Sequence, residues 1–130
     1  LFFRCFFSSA IHVACALMLI LSIQMIHRMA METVTGLMAA GAQIILFTTG
    51  RGTPLGAPVP TLKIATNSDL AARKPHWMDF DAGRLLSGLF MQQATQELLR
   101  LVLDTANGRP AQNERAGYRE IAIFKDGVTL

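Results

Sequence analysis

The run Ile44-Ile45-Leu46-Phe47 breaks directly into Thr48-Thr49-Gly50-Arg51-Gly52-Thr53-Pro54-Leu55-Gly56. Few folds accommodate that junction. The apolar part is short, β-branched and aromatic, with no polar alternation, which predicts a strand covered on both faces. The part that follows cannot continue as regular structure. Gly50, Gly52 and Gly56 admit positive φ, and Pro54 lacks an amide donor. A loop of this kind at the C-terminal end of a buried strand is where open α/β sheets place ligands. The amides of Gly50 to Thr53, the hydroxyls of Thr48, Thr49 and Thr53, and the Arg51 guanidinium are all hydrogen-bond donors. As a set they suit an anionic oxygen ligand.

The 130 residues suffice for one domain with a core. Hydrophobic residues make up 52% and charged residues only 16%, and the apolar excess lies mostly before Met29. The net charge of +3 is not clustered, which argues against a nucleic-acid partner. Cys5 and Cys15 both fall in the apolar N-terminal stretch. The rest of the chain therefore has no disulfide framework, thiol nucleophile or cysteine metal site, as suits a reducing compartment.

From Cys5 to Ile26 no side chain is formally charged. That length of apolar helix can span a bilayer. Arg4 precedes it and His27 and Arg28 follow, so flanking charge gives little orientation. Three readings stand: a membrane-spanning or anchoring helix over residues 5–26, a signal peptide lacking a clear cleavage site, and unrelated sequence ahead of the domain. Residues 1–32 are accordingly set apart from a domain covering 33–130.

Within that domain a short helix bracketed by Gly36 and Gly41 leads into the strand at Ile44. Ala57-Pro58-Val59-Pro60 is a stiff connector. Thr61 to Asn67 alternates as a second strand, with Leu62, Ile64 and Thr66 opposite Lys63, Ala65 and Asn67. A cap at Asn67-Ser68-Asp69 opens a short helix to Lys74, which Pro75 stops. His76 to Gly83 is a short strand or extended loop. Arg84 to Asn107 is predicted as the longest helix, with Leu86, Phe90, Ala94, Leu98, Leu101 and Thr105 as its buried stripe and Gly88 as a point where it is interrupted or starts. Arg109 to Gly117 reads as loop and Glu120 to Phe124 as a strand, followed by a turn at Lys125-Asp126-Gly127. The fold class expected is α/β, a compact layered sheet with helices packed on it, preceded by an apolar N-terminal helix.

Several stretches, taken together and in order, carry a family resemblance. They are Gly41-Ala42-Gln43 running into Phe47-Thr48-Thr49-Gly50-Arg51-Gly52, then Lys63-Ile64-Ala65-Thr66-Asn67, and Met78-Asp79-Phe80-Asp81-Ala82-Gly83. Asn113-Glu114 and the run from Gly117-Tyr118-Arg119-Glu120 to Leu130 complete the set. From about Val34 onward the chain resembles the C-terminal domain of the altronate dehydratase and galactarate dehydratase family. The resemblance implies a hydro-lyase that removes water from sugar acids such as altronate or galactarate, with a divalent metal, Fe²⁺ or Mn²⁺, and a cytoplasmic setting. Related members eliminate sulfite from sulfolactate. Whole enzymes of the family are longer and have domains upstream, so the chain is expected to be incomplete alone. The alternative is a non-catalytic, membrane-anchored remnant that binds an anionic ligand or partner subunit.

Dehydration of a sugar acid removes a proton α to a carboxylate and expels the β-hydroxyl, so negative charge builds on the carboxylate oxygens and must be met by donors. Thr48, Thr49, Gly50, Arg51, Gly52 and Thr53 are the expected substrate-binding loop, with Arg51 gripping the carboxylate. Lys63 is the expected base, if burial depresses its pKa. Asn67 is expected to bind a hydroxyl. Against these stand plainer roles: a tight connection for the loop, a pairing of Arg51 with Asp79 or Asp81, a solvent-facing Lys63, and a place beside Trp77 for His76. Asp79 and Asp81 could hold a cation but are favoured as capping groups. No recognisable metal-ligand cluster occurs in the sequence, so any metal's ligands are expected in upstream domains.

Overall fold

The structure, a computed structural model, describes residues 27–123. The apolar segment over residues 5–26, the predicted N-terminal helix it would form, and the turn at 125–127 lie outside the described residues. Among the described residues no helix is long and apolar enough to cross a membrane.

Helix α1 spans His27–Ala39. It runs through Gly36 rather than starting there, because Gly36 is exposed and the flanking Leu, Met and Ala residues favour helix. It also crosses the boundary drawn at residue 33. Its end is set by Gly41, at φ 92°. There the Ala42 amide reaches back to the Leu37 carbonyl at 3.0 Å and the Gly41 amide to that of Met38 at 2.9 Å. This is the paired closure that a left-handed residue after a helix makes available.

Strands β1 (Ile45–Thr49), β2 (Thr61–Ala65) and β3 (Phe80–Asp81) form one parallel sheet in that order. Ile45 pairs with Thr61 and Thr49 with Ala65 across β1 and β2, and Ile64 pairs with Phe80 across β2 and β3. Parallel neighbours usually need a helical crossover. Here residues 50–60 cross without one and bury Leu55 and Ala57 against Val34 of α1, Ala42 and Ile45. On the opposite sheet face Leu46, Leu62 and Ile64 meet Ala111 and the half-buried Leu98, Leu101 and Val102. All five residues of β2 are buried. The period-two alternation thus fails to mark a wet face, because both faces are covered.

After β2, α2 spans Ser68–Arg73 with Asn67 as its N-cap. A 3₁₀ turn over Ala82–Leu85 follows β3, with Asp81 accepting the Gly83 amide at 2.9 Å. Gly83 is packed against the backbone of Asn67 and Ser68, and a Cβ there would lie 2.3 Å from the Ser68 nitrogen. The long helix begins later than expected. Gly88 sits at φ 99°, so the chain breaks, and α3 spans Met91–Ala106. Leu86 and Phe90 consequently fall outside it and are 88% and 74% exposed, whereas Ala94 and Thr105 of the predicted stripe are buried.

Residues 109–117 are not all loop, since α4 spans Gln112–Arg115. Asn113 in it is 2% exposed. It accepts the Thr61 amide at 3.1 Å and donates to the Ala57 carbonyl at 3.2 Å. The segment predicted as a final strand has no regular structure up to Ile123 and, among the described residues, joins no sheet. It is held instead by the Glu120 amide on the Gly56 carbonyl at 2.7 Å and the Ala122 amide on the Thr35 hydroxyl at 2.9 Å.

Candidate functional site

The loop after β1 and the cap after β2 meet at the C-terminal edge of the sheet. Thr49 is buried, and its hydroxyl accepts the amides of Gly52 at 3.0 Å and Thr53 at 3.4 Å. Those two donors, expected to face a ligand, are turned inward. Gly52 adopts φ 78°, and a Cβ there would meet Leu70 at 2.8 Å and the Lys74 side chain at 3.0 Å. Asn67 is likewise committed: its side-chain oxygen accepts the Leu70 amide at 2.8 Å, and its side-chain nitrogen donates to the Gly50 carbonyl at 3.2 Å. Thr48 and Thr53 are half-buried, and Gly50 and Arg51 are exposed. Arg51 forms no ion pair or hydrogen bond with any described residue. The expected pairing with Asp79 or Asp81 is absent among them.

Asp79 does something else. One carboxylate oxygen accepts the Lys63 amide at 2.8 Å and the other accepts the Gln112 amide at 2.9 Å. The Asp79 amide returns to the Lys63 carbonyl at 2.8 Å. Asp79 therefore extends the pairing of β2 and ties it to α4. Burial pushes its carboxyl above the ordinary 3.8, against the pull of those two amides and of the Lys63 and Arg109 charges. With Asp81 capping the 3₁₀ turn, both aspartates do structural work, the role favoured from sequence. His76 is exposed in the turn after α2 rather than packed.

Lys63 stands apart. It lies mid-strand in β2, paired with Phe47 of β1, and is 1% exposed. Its ammonium sits 5.8 Å from the ring centre of Trp77 and 5.8 Å from that of Tyr118. No hydrogen bond or ion pair joins it to any described residue. Burial lowers its pKa below the ordinary 10.5; the charges of Asp79 and Glu120 oppose that shift and Lys74 adds to it. Lys74 Nζ lies 4.5 Å from the Trp77 ring centre and donates to the Gly52 carbonyl at 3.2 Å. The site is thus a buried lysine beneath two half-buried aromatic rings, with a second lysine at its edge holding the glycine loop. Lys63 was legible as a candidate. Lys74, Trp77 and Tyr118 were not joined to it, because nothing in their spacing shows that the turn holding Lys74 and Trp77 and the segment at Tyr118 converge on one strand.

A concavity of about 500 Å³ lies between the 3₁₀ turn and α3 and shares no lining residue with the Lys63 site. Its charged groups are largely paired, Arg84 with Glu97 at 2.8 Å and Arg109 with Asp104 at 3.4 Å.

Residues 19–129 match the family model described as D-galactarate/Altronate dehydratase, C-terminal. The match begins at residue 19, ahead of the boundary drawn at 33. The chain is 55% identical over 96 residues to an altronate dehydratase of Escherichia coli K12, covering 74% of this chain and 19% of that protein. It is 47% identical over 97 residues to an altronate dehydratase of Bacillus subtilis 168, covering 74% of this chain and 20% of that protein. To a galactarate dehydratase (L-threo-forming) of E. coli K12 it is 39% identical over 90 residues, covering 66% of this chain and 17% of that protein. The chain therefore spans about a fifth of the length of the first of these relatives. With the family model matching residues 19–129 and an altronate dehydratase 55% identical over 96 residues, the chain belongs to the family of D-galactarate/altronate dehydratase C-terminal domains.

Proposed function

We propose that this chain forms one wall of a hydro-lyase site for a polyhydroxy carboxylate of the altronate or galactarate type, with Lys63 as the proton-abstracting base. The observation that carries the reading is Lys63, 1% exposed as a residue, whose amine lies beside the Trp77 and Tyr118 rings with no hydrogen-bond partner among the described residues. A base must be neutral to accept a proton, and desolvation favours that form. The neutral amine takes the proton α to the carboxylate. The electron pair left behind forms the new carbon–carbon double bond as the β-hydroxyl departs. That hydroxyl takes up a proton from solvent and leaves as water, Lys63 returns its proton to solvent, and the enol product rearranges to a 2-keto-3-deoxy acid. Only 1% of Lys63 is exposed, so an opening wide enough for substrate requires one of the two half-buried rings to move aside. Tyr118 follows Gly117, at φ 75°, in a segment without regular structure and is the ring placed to move.

Among the described residues no group of three or more His, Cys, Asp or Glu side chains gathers to hold a metal. Asp79 and Asp81 spend carboxylate oxygens on backbone amides. The described residues therefore do not fit a divalent ion, and its ligands fall to the rest of such an enzyme. A cytoplasmic setting belongs to the same reading.

The test is a chimera in which the matching segment of the E. coli altronate dehydratase is replaced by this chain. The reading expects altronate dehydration to survive the exchange, and Lys63→Met in the chimera to lower kcat by roughly 10²- to 10⁴-fold. A folded chimera that is inactive, or one indifferent to Lys63→Met, would sink it.

A further inference from the structure

The expected carboxylate grip was Arg51, yet the structure holds that side chain nowhere: it is exposed and bonded to no described residue. A long mobile side chain must be ordered before it can grip, at a cost in rotamer freedom. Lys74 has already been ordered. It is half-buried, anchored over the Trp77 ring and bonded to the Gly52 carbonyl. An ammonium has three N–H donors, so two remain for a ligand. The same indole has the Lys63 amine 5.8 Å from its ring centre and the Lys74 amine 4.5 Å from it, so both amines border one ring. Lys63, deep in the strand, has no hydrogen-bond acceptor among the described residues, and Asp79 beside it is spent on two amides.

The geometry points to Lys74 as the residue that binds the substrate's carboxylate, with the Trp77 indole as the platform that sets the carboxylate beside Lys63. This rests on the sugar-acid reading above and deepens it. A carboxylate is one bond from its α-carbon, so gripping it at Lys74 brings the α-proton toward the neighbouring amine. The charge of Lys74 also favours the neutral form of that amine, so one residue serves both binding and proton transfer. Gly52 belongs to the device as well, because any side chain there would collide with Lys74 and Leu70.

The test uses the full chain and two probes, galactarate and its uncharged analogue galactitol. Binding is measured by calorimetry, and acylation of individual lysines is followed by mass spectrometry. Galactarate, and not galactitol, is expected to protect Lys74 and Lys63 from acylation. Lys74→Met should weaken galactarate binding about tenfold or more, the scale of one charge-assisted hydrogen bond, while Arg51→Ala changes it less than about twofold. Lys74→Arg should retain most of the affinity. If the wild-type chain binds galactarate but Lys74→Met binds equally well, or Arg51→Ala carries the loss, the assignment of Lys74 is overturned and the hydro-lyase reading stands. If galactarate neither binds nor protects the wild-type chain, the assignment of Lys74 is overturned together with the claim that this wall binds sugar acids.

Discussion

A lysine that is 1% exposed and without a hydrogen-bond partner among the described residues is a cost to the fold. Replacing it by an unbranched apolar side chain of similar length should raise stability while removing the reactive group. Lys63→Met is expected to gain about 1–2 kcal/mol in urea unfolding. The pH dependence gives the sign. Between the lowered pKa in the fold and 10.5 the unfolded chain holds more protons at this position, so stability rises with pH across that window. Asp79 works the other way: its carboxyl is raised above 3.8 in the fold, so the folded chain holds the extra proton and stability falls as pH rises through that acidic window. Urea midpoints measured from neutral to alkaline pH should climb in the wild type and stay flat in Lys63→Met. A climb of equal size in both would show that another group is responsible.

At the level of elements, α3 has one working face. Leu98 packs under the sheet, whereas its neighbour Leu99 is 56% exposed. Leu98→Ala should cost about 2 kcal/mol and Leu99→Ala less than about 0.5. Equal losses would mean the helix is rotated from the position described. The junction of Gly83 with the start of α2 allows no substitution, and Gly83→Ala should cost about 3 kcal/mol in urea unfolding, since backbone rather than a flexible side chain blocks the Cβ. Much of this layer was legible in the sequence. The Ile44-to-Phe47 run marked β1, Asn67 marked the cap of α2, and Asn107-Gly108 marked the end of α3. The start of α3 was legible only as an alternative at Gly88, because the four-residue apolar spacing continues through Leu86 and Phe90 although the helix does not. Gly88 was the only local sign of the break. Glu120 to Ile123 has strand composition, but strand formation needs a neighbour's hydrogen-bonding edge, and composition says nothing of that.

Across the whole molecule the site is assembled from pieces distant in sequence, which is why so little of it could be read in advance. The glycine loop looked like a set of outward donors, yet Thr49 turns two of its amides inward. Lys63 had a solvent-facing reading beside its reading as a buried base, and the helixless crossover and the segment around Tyr118 cover its face. Asn113 is the tie that holds this arrangement closed, joining α4 to the crossover at Ala57 and to the first residue of β2. Asn113→Ala would leave a buried amide and a buried carbonyl unpaired and is expected to cost about 2–4 kcal/mol in urea unfolding. The same variant should speed acylation of Lys63, because Tyr118, whose amide bonds the Asn113 carbonyl at 3.0 Å, loses its footing with α4. A loss of stability with no change in Lys63 labelling would separate the tie from the cover.

Trp77 is the only tryptophan in the chain. Indole emission responds to the electric field across the ring, and here the field has two nearby sources, the Lys74 ammonium and the Lys63 amine whenever it is protonated. The protein therefore carries its own optical gauge of the site. Deprotonating Lys63, neutralising Lys74 with a bound anion or lifting Tyr118 away each changes the charge or solvent around one chromophore. No other indole contributes to the signal, so events at this wall can be followed by light in unlabelled protein.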